Sequence, residues 1–243
     1  MRITKSIVLG VAFCVVSLPA VAQITPRNTR DLTQPYAGPS DISGSWELFY
    51  DGANLQRATL LPQVTQADLV AHARMDGAAM RWCNYIGMPL LMQSRLPLEI
   101  LQGKIETIIV ASEVSVARHI YTDGRPHVDP SVFEPTSNGD SIGHWEADTF
   151  VVDTIGFAPN RGFTAIPGGG FKTATSHLVE RFRLVSGGAK LLTTFTWDDR
   201  NVFAAPHTYA FLYSRAPQGM WSRKITCNPF DDERTNFLTR PPR

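Results

Sequence analysis

His177–Trp197 reads HLVERFRLVSGGAKLLTTFTW, two β-rich runs on either side of Ser186-Gly187-Gly188. The glycines supply the backbone freedom that a tight hairpin turn needs, and the Val, Leu, Phe and Thr content favours strands. Alternation along the first run puts His177, Val179 and Arg181 on one face and Leu178, Glu180 and Phe182 on the other. One face has to be partly buried, so either Glu180 or Arg181 turns inward and needs a partner of opposite charge. A pairing of Glu180 with an arginine across strands is the structural reading. His177 follows a glycine-rich loop, which makes it a candidate for chemistry instead.

Outward from this hairpin the signal stays almost wholly β. Strand patterns occur at 46–50, 98–101, 105–111, 114–122, 141–145, 149–154, 208–213 and 221–226, separated by short turn signals. The exception is a short helix from Thr65 to about Ala73, with Thr65 as N-cap, Asp68 three residues on, and Leu69 and Val70 as its apolar side. Residues 156–175 hold five glycines and two prolines and read as a lid or mouth loop. The fold class is therefore all-β: an antiparallel, lipocalin-like barrel or sandwich with one short helix and long mouth loops. Gly44-Ser45-Trp46 resembles the G-x-W opening of lipocalin-type barrels.

The N-terminus reads as a leader. Arg2 and Lys5 precede the apolar run Ile7–Leu18, and Ala20-Val21-Ala22 is a small-residue cleavage pattern. The expected organisation is a signal peptide at 1–22, an extended arm at 23–43 and one β-barrel domain at 44–243. The expected location is the periplasm or the exterior, with no membrane association once the leader is removed. Without Arg2 and Lys5 the 23 basic residues fall to 21, against 22 acidic ones. That balance argues against a nucleic-acid partner, which wants a basic excess. The expected partner is a small-molecule substrate or ligand, and self-association stays open. Cys83 and Cys227 are the cysteines left after cleavage, an even pair expected to bridge in an oxidising compartment.

The densest chemistry lies between Tyr121 and Phe157. His119, Tyr121 and Asp123 share one face of a strand, and His127 follows the Gly124-Arg125-Pro126 turn. A histidine, a phenol and a carboxylate at a strand end can move protons at neutral pH. Structurally, Asp123 could equally cap the turn with Arg125 as its partner. Asp153 sits inside the apolar run FVVDT, where an unpaired carboxylate is costly, so it needs a cation or a histidine. His119, Asp123 and His127 could be arranged around zinc, but they lack the spacing that marks such sites. No nucleophile elbow, phosphate loop or dinucleotide fingerprint is present, so no cofactor is expected. Trp145 and Trp197 fit core positions or the lining of an apolar pocket.

Three segments carry a resemblance: RHIYTDGRPH at 118–127, GDSIGHWEADTFVVDT at 139–154 and HLVERF at 177–182. They are similar to a large group of exported, β-rich bacterial proteins whose usual pattern is RxIYxDGRxHP, SIGxWEGDTLVVDT and LHVVERF. The resemblance covers most of the chain beyond the leader and implies architecture rather than activity. Ala147 stands where the pattern has Gly, Val128 where it has Pro, and Pro206-His207 where it has PW. The resulting expectation is a cofactor-independent acid–base enzyme, a lyase or isomerase. Its substrate would be a small, partly apolar, aromatic-like molecule held in a barrel pocket. His127, His177, Tyr121, Asp123, Asp153 and His119 are the catalytic candidates, and Arg125, Arg181, Trp145, Trp197 and His207 the substrate-binding ones. The alternatives are a periplasmic carrier of a hydrophobic ligand and a metal-dependent hydrolase.

Overall fold

A computed structural model describes residues 40–49, 55–81, 87–94, 96–111, 117–159 and 164–216. The expected leader, most of the arm, Cys83, Cys227 and the strand pattern at 221–226 lie outside the described residues. Within them the alternating runs form β1 (Gly44–Phe49), β2 (Leu98–Gln102), β3 (Glu106–Ala111), β4 (Arg118–Tyr121) and β5 (Asp140–Glu146). They continue as β6 (Thr149–Ile155), β7 (His177–Val185), β8 (Lys190–Asp198) and β9 (His207–Arg215). β1 pairs with β2 on one side and β9 on the other, so the sheet closes into a barrel. The all-β barrel expectation holds.

The β7–β8 hairpin runs in unbroken register from His177 opposite Asp198 to Val185 opposite Lys190. Its turn uses positive φ at Ser186, Gly187 and Gly188. The β5–β6 turn is tighter, with Glu146 opposite Thr149 and positive φ of 52° at Ala147. Glycine enters this conformation without a Cβ clash, so an alanine here carries strain.

One junction departs from the expected antiparallel order. β4 and β5 are parallel, joined at Tyr121 opposite Ile142. Parallel neighbours cannot be linked by a hairpin and need a crossover. Residues 122–139 provide it, and Thr136 and Phe157 bridge where the crossover meets the chain leaving β6.

Large side chains of the described residues pack into the lumen. Trp46, Ile100, Ile109, Ile120, Phe150, Phe182, Phe195, Trp197 and Tyr213 are all fully buried. Aromatic contacts link Phe195 to Tyr209 and Phe211, with ring centroids 5.0 and 5.4 Å apart. Burial pushes the Tyr209 and Tyr213 phenols far above their ordinary range, so both stay neutral. Glu180 is the residue of the His177–Phe182 run that turns inward. It pairs with Arg118, and both side chains are 0% exposed. The helix α1 (Gln66–Arg81) begins where expected but runs longer than the sequence suggests. Thr65 and Asp68 cap it reciprocally, with Thr65 N–H donating to Asp68 at 2.8 Å and Asp68 N–H to Thr65 Oγ1 at 3.3 Å. His72 docks the helix by stacking on Phe171 at 3.8 Å.

Candidate functional site

Strand parity decides which candidates can meet. On β6 the residues Phe150, Val152 and Thr154 face the lumen, so Asp153 faces outward. On β7 the inward Leu178 and Glu180 put His177 outward beside it. β5 contributes Asp140, which pairs with Ile155. The crossover after β4 then lays His127 over this outer wall.

These four side chains form a continuous chain of contacts. Asp140 Oδ2 lies 2.8 Å from His127 Nδ1 and accepts a hydrogen bond from Val128 N–H at 3.0 Å. His127 Nε2 lies 2.9 Å from Asp153 Oδ1, and the other Asp153 oxygen lies 2.8 Å from His177 Nε2. A neutral imidazole has one N–H donor, yet both nitrogens of His127 face carboxylate oxygens. The arrangement is satisfied when His127 carries both protons or when one carboxyl group carries the extra one. His177 differs: its Nδ1 has no hydrogen-bond partner among the described residues, and its side chain is 42% exposed. It is an imidazole oriented by a carboxylate with its second nitrogen open, the geometry of a general base.

The remaining candidates do not join this chain. Asp123 is gripped by the Arg125 guanidinium at 2.6–3.1 Å. That bond holds the Asp123 carboxyl below its usual range and raises Arg125. Arg125 also lies over the Tyr121 ring, 4.0 Å from its centroid. His119 turns to Glu106 at 2.9 Å. His119, Asp123 and His127 are thus each committed to a different partner and do not converge as the zinc alternative required. Arg181 pairs with Glu146 at 2.7 Å, and His144 approaches the same carboxylate at 3.2 Å. Arg181 first and His144 second hold that carboxyl below its ordinary range.

The aromatic and histidine candidates for substrate binding, Trp145, Trp197 and His207, sit in or against the packed core among the described residues. Trp197 has no accessible surface at all, and its indole N–H donates to Tyr209 Oη at 3.2 Å. Trp145 packs inward against Phe150, with centroids 5.3 Å apart. His207 is buried, with Nε2 2.6 Å from the Pro167 carbonyl. Strand parity instead puts Asp153 and His177 on the outer face.

Asp140 was not among the sequence candidates. Its signal was present but weak: like Asp153, it sits at an outward position on one of two paired strands. Beside it a cleft of about 490 Å³ opens on the outer wall, lined by His119, Tyr121, Val128, Phe133, Asn138 and Asp140 among others. Asp153 and His177 do not line it. Comparison with protein-family models finds none that matches the chain, and comparison with curated proteins finds no match either.

Proposed function

We propose that the protein is an exported, cofactor-independent acid–base enzyme, a lyase or isomerase acting on a small, partly apolar molecule. The carrying observation is the division of Asp153 between two imidazoles, one clamped and one open. His177 Nδ1 takes a proton from the substrate while Nε2–H stays on Asp153. The resulting imidazolium is stabilised by the Asp153 carboxylate. Returning the same proton at a second atom gives an isomerisation, and delivering it to a leaving group gives an elimination. Neither route needs an oxidant or a second substrate. His127 and Asp140 act through Asp153, fixing its rotamer by the contacts from Asp140 through His127 to Asp153. The reaction takes place on the outer wall, not in the lumen. The leader pattern at 1–22 supports an exported location.

The test follows proton abstraction directly. The protein is incubated in D2O with a panel of small carbonyl and hydroxyaromatic compounds, and enzyme-dependent exchange at carbon is read by NMR. His177→Ala is expected to lower exchange by about 10²–10⁴-fold, the usual contribution of a positioned base. Asp153→Asn should lower it as well, while Arg125→Ala, which belongs to a separate unit, should not. A folded His177→Ala protein that exchanges as fast as the parent refutes the assignment.

A further inference from the structure

Two polar side chains stand together on the outer face of β4, and each is held in place by a charged neighbour. His119 and Tyr121 are two positions apart and point the same way, while Arg118 and Ile120 turn inward and are buried. Glu106, opposite Tyr121 on β3, sets the imidazole, with its Oε2 2.9 Å from His119 Nδ1. A carboxylate accepts, so Nδ1 carries the proton and the neutral ring presents an acceptor at Nε2. That nitrogen has no hydrogen-bond partner among the described residues, and the half-exposed ring is within reach of a ligand. Arg125 lies over the Tyr121 ring, 4.0 Å from its centroid, and Asp123 fixes Arg125 in turn. The Tyr121 hydroxyl has no hydrogen-bond partner among the described residues either.

Both residues line the outer-wall cleft, whose volume of about 490 Å³ falls within the range of small-molecule sites. Val128, Phe133 and Pro135 of the crossover give it apolar surface. That segment is anchored rather than loose. Phe133 N–H donates to the Asp129 carbonyl at 3.0 Å, Thr136 N–H to the Gly156 carbonyl at 3.2 Å, and Ala158 N–H to the Thr136 carbonyl at 2.7 Å. The Phe133 ring lies so close over Gly156 that a Cβ there would sit 2.5 Å from its Cε1. The cleft thus joins a fixed apolar wall to an oriented imidazole and an oriented phenol, the pre-organisation that a small ligand needs.

We infer that this cleft binds a small neutral phenol. The ligand O–H donates to His119 Nε2, its oxygen accepts from the Tyr121 hydroxyl, and its ring packs against Phe133 and Val128. An aryl ether has no proton to give Nε2. A carboxylate has none either, and it would stand beside Asp140, which also lines the cleft. An aliphatic alcohol is a weaker donor and brings no ring to the apolar wall. The site does not depend on His177 moving protons, since His177 lies outside the lining.

The probes are phenol, anisole and benzoate, titrated against the full chain by calorimetry and by amide NMR shifts at residues 117–121 and 128–141. Phenol is expected to bind about tenfold more tightly than anisole, the effect of one hydrogen bond, with benzoate the weakest of the three. His119→Ala should bring phenol down to about the affinity of anisole, because it removes the acceptor that tells them apart. Tyr121→Phe should weaken phenol by a few-fold, on the order of one neutral hydrogen bond, and keep the ring that packs. His177→Ala should leave phenol affinity unchanged, which separates this site from the acid–base reading. Equal affinity for phenol and anisole on the parent protein, shifts confined to other regions, or a phenol preference that survives in both His119→Ala and Tyr121→Phe would overturn the inference.

Discussion

Glu180→Gln tests the energetics of the barrel interior. Arg118 and Glu180 are 0% exposed and meet in a two-pronged pair, Nη1 to Oε1 at 2.9 Å and Nη2 to Oε2. Nη2 also donates to Thr154 Oγ1 at 3.0 Å, and Nε donates to Ser141 Oγ at 3.4 Å, both neutral. The substitution keeps the shape and removes the charge, leaving a guanidinium with no counter-ion in an aromatic lumen. Losing one partner of such a pair costs about 3–5 kcal/mol. At roughly 2–4 °C per kcal/mol for a chain of this size, the midpoint should fall by about 6–20 °C. Arg118→Met should cost a similar amount. The double variant Arg118→Met/Glu180→Leu removes both charges and fills the space, so it should recover most of the loss. Urea unfolding followed by tryptophan fluorescence and far-UV circular dichroism gives the four corners of the cycle. A Glu180→Gln loss under about 1 kcal/mol, or a double variant worse than the sum of the singles, refutes the reasoning.

Ala147→Gly should stabilise the β5–β6 hairpin by about 1 kcal/mol, because a non-glycine residue at a φ of 52° carries that much strain. Denaturant midpoints would show it, and a loss of stability would contradict it. Gly143→Ala should destabilise by about 1–3 kcal/mol, since the new Cβ would lie 2.7 Å from Phe150 Cζ and 2.9 Å from Ile120 Cγ2. An unchanged melting temperature there would mean the wall yields freely. Glu146→Gln tests pH linkage. Arg181 and His144 depress the folded Glu146 carboxyl below its ordinary 4.5, so its contribution is complete above that value and disappears as pH falls through the lower folded one. The variant should melt below the parent at about pH 7, and the gap should narrow as pH falls below the ordinary carboxyl value; a gap that stays constant as the solution is acidified counts against the linkage.

Periodicity made much of the barrel legible, because strand parity and turn chemistry are local properties. The β7 alternation narrowed the inward charge to Glu180 or Arg181. It could not point to Arg118, which lies 62 positions away and is brought near only by barrel closure. The Thr65–Asp68 box marked the start of α1, but the alanine-rich stretch after His72 has no strong stop signal, so the helix continues to Arg81. Alternating aromatics could not reveal whether Trp197 lined a cavity or sealed one, since both fates produce the same pattern. Asp153 was found because a carboxylate in an apolar run is conspicuous. Asp140 follows Gly139 among turn residues, where a carboxylate is ordinary, and only its contact with His127 distinguishes it.

The parallel β4–β5 junction explains why the candidate site lies outside the barrel. A closed sheet of this size directs half its side chains into a lumen that aromatic groups fill, and any charge there must be paired, as Arg118 and Glu180 are. Groups meant to meet solvent molecules must then stand on the outer face. Alone, each would be an isolated side chain on a convex surface with nothing to fix its rotamer. A second layer is required, and the crossover that parallel pairing demands supplies it. Had β4 turned into β5 through a short hairpin, no segment would carry His127 over Asp153 or place residues 133–138 opposite Tyr121. The clamp on Asp153 and the cleft beside Asp140 thus share one topological cause. A crossover graft onto an all-antiparallel barrel should create both together, while strand substitutions alone should create neither.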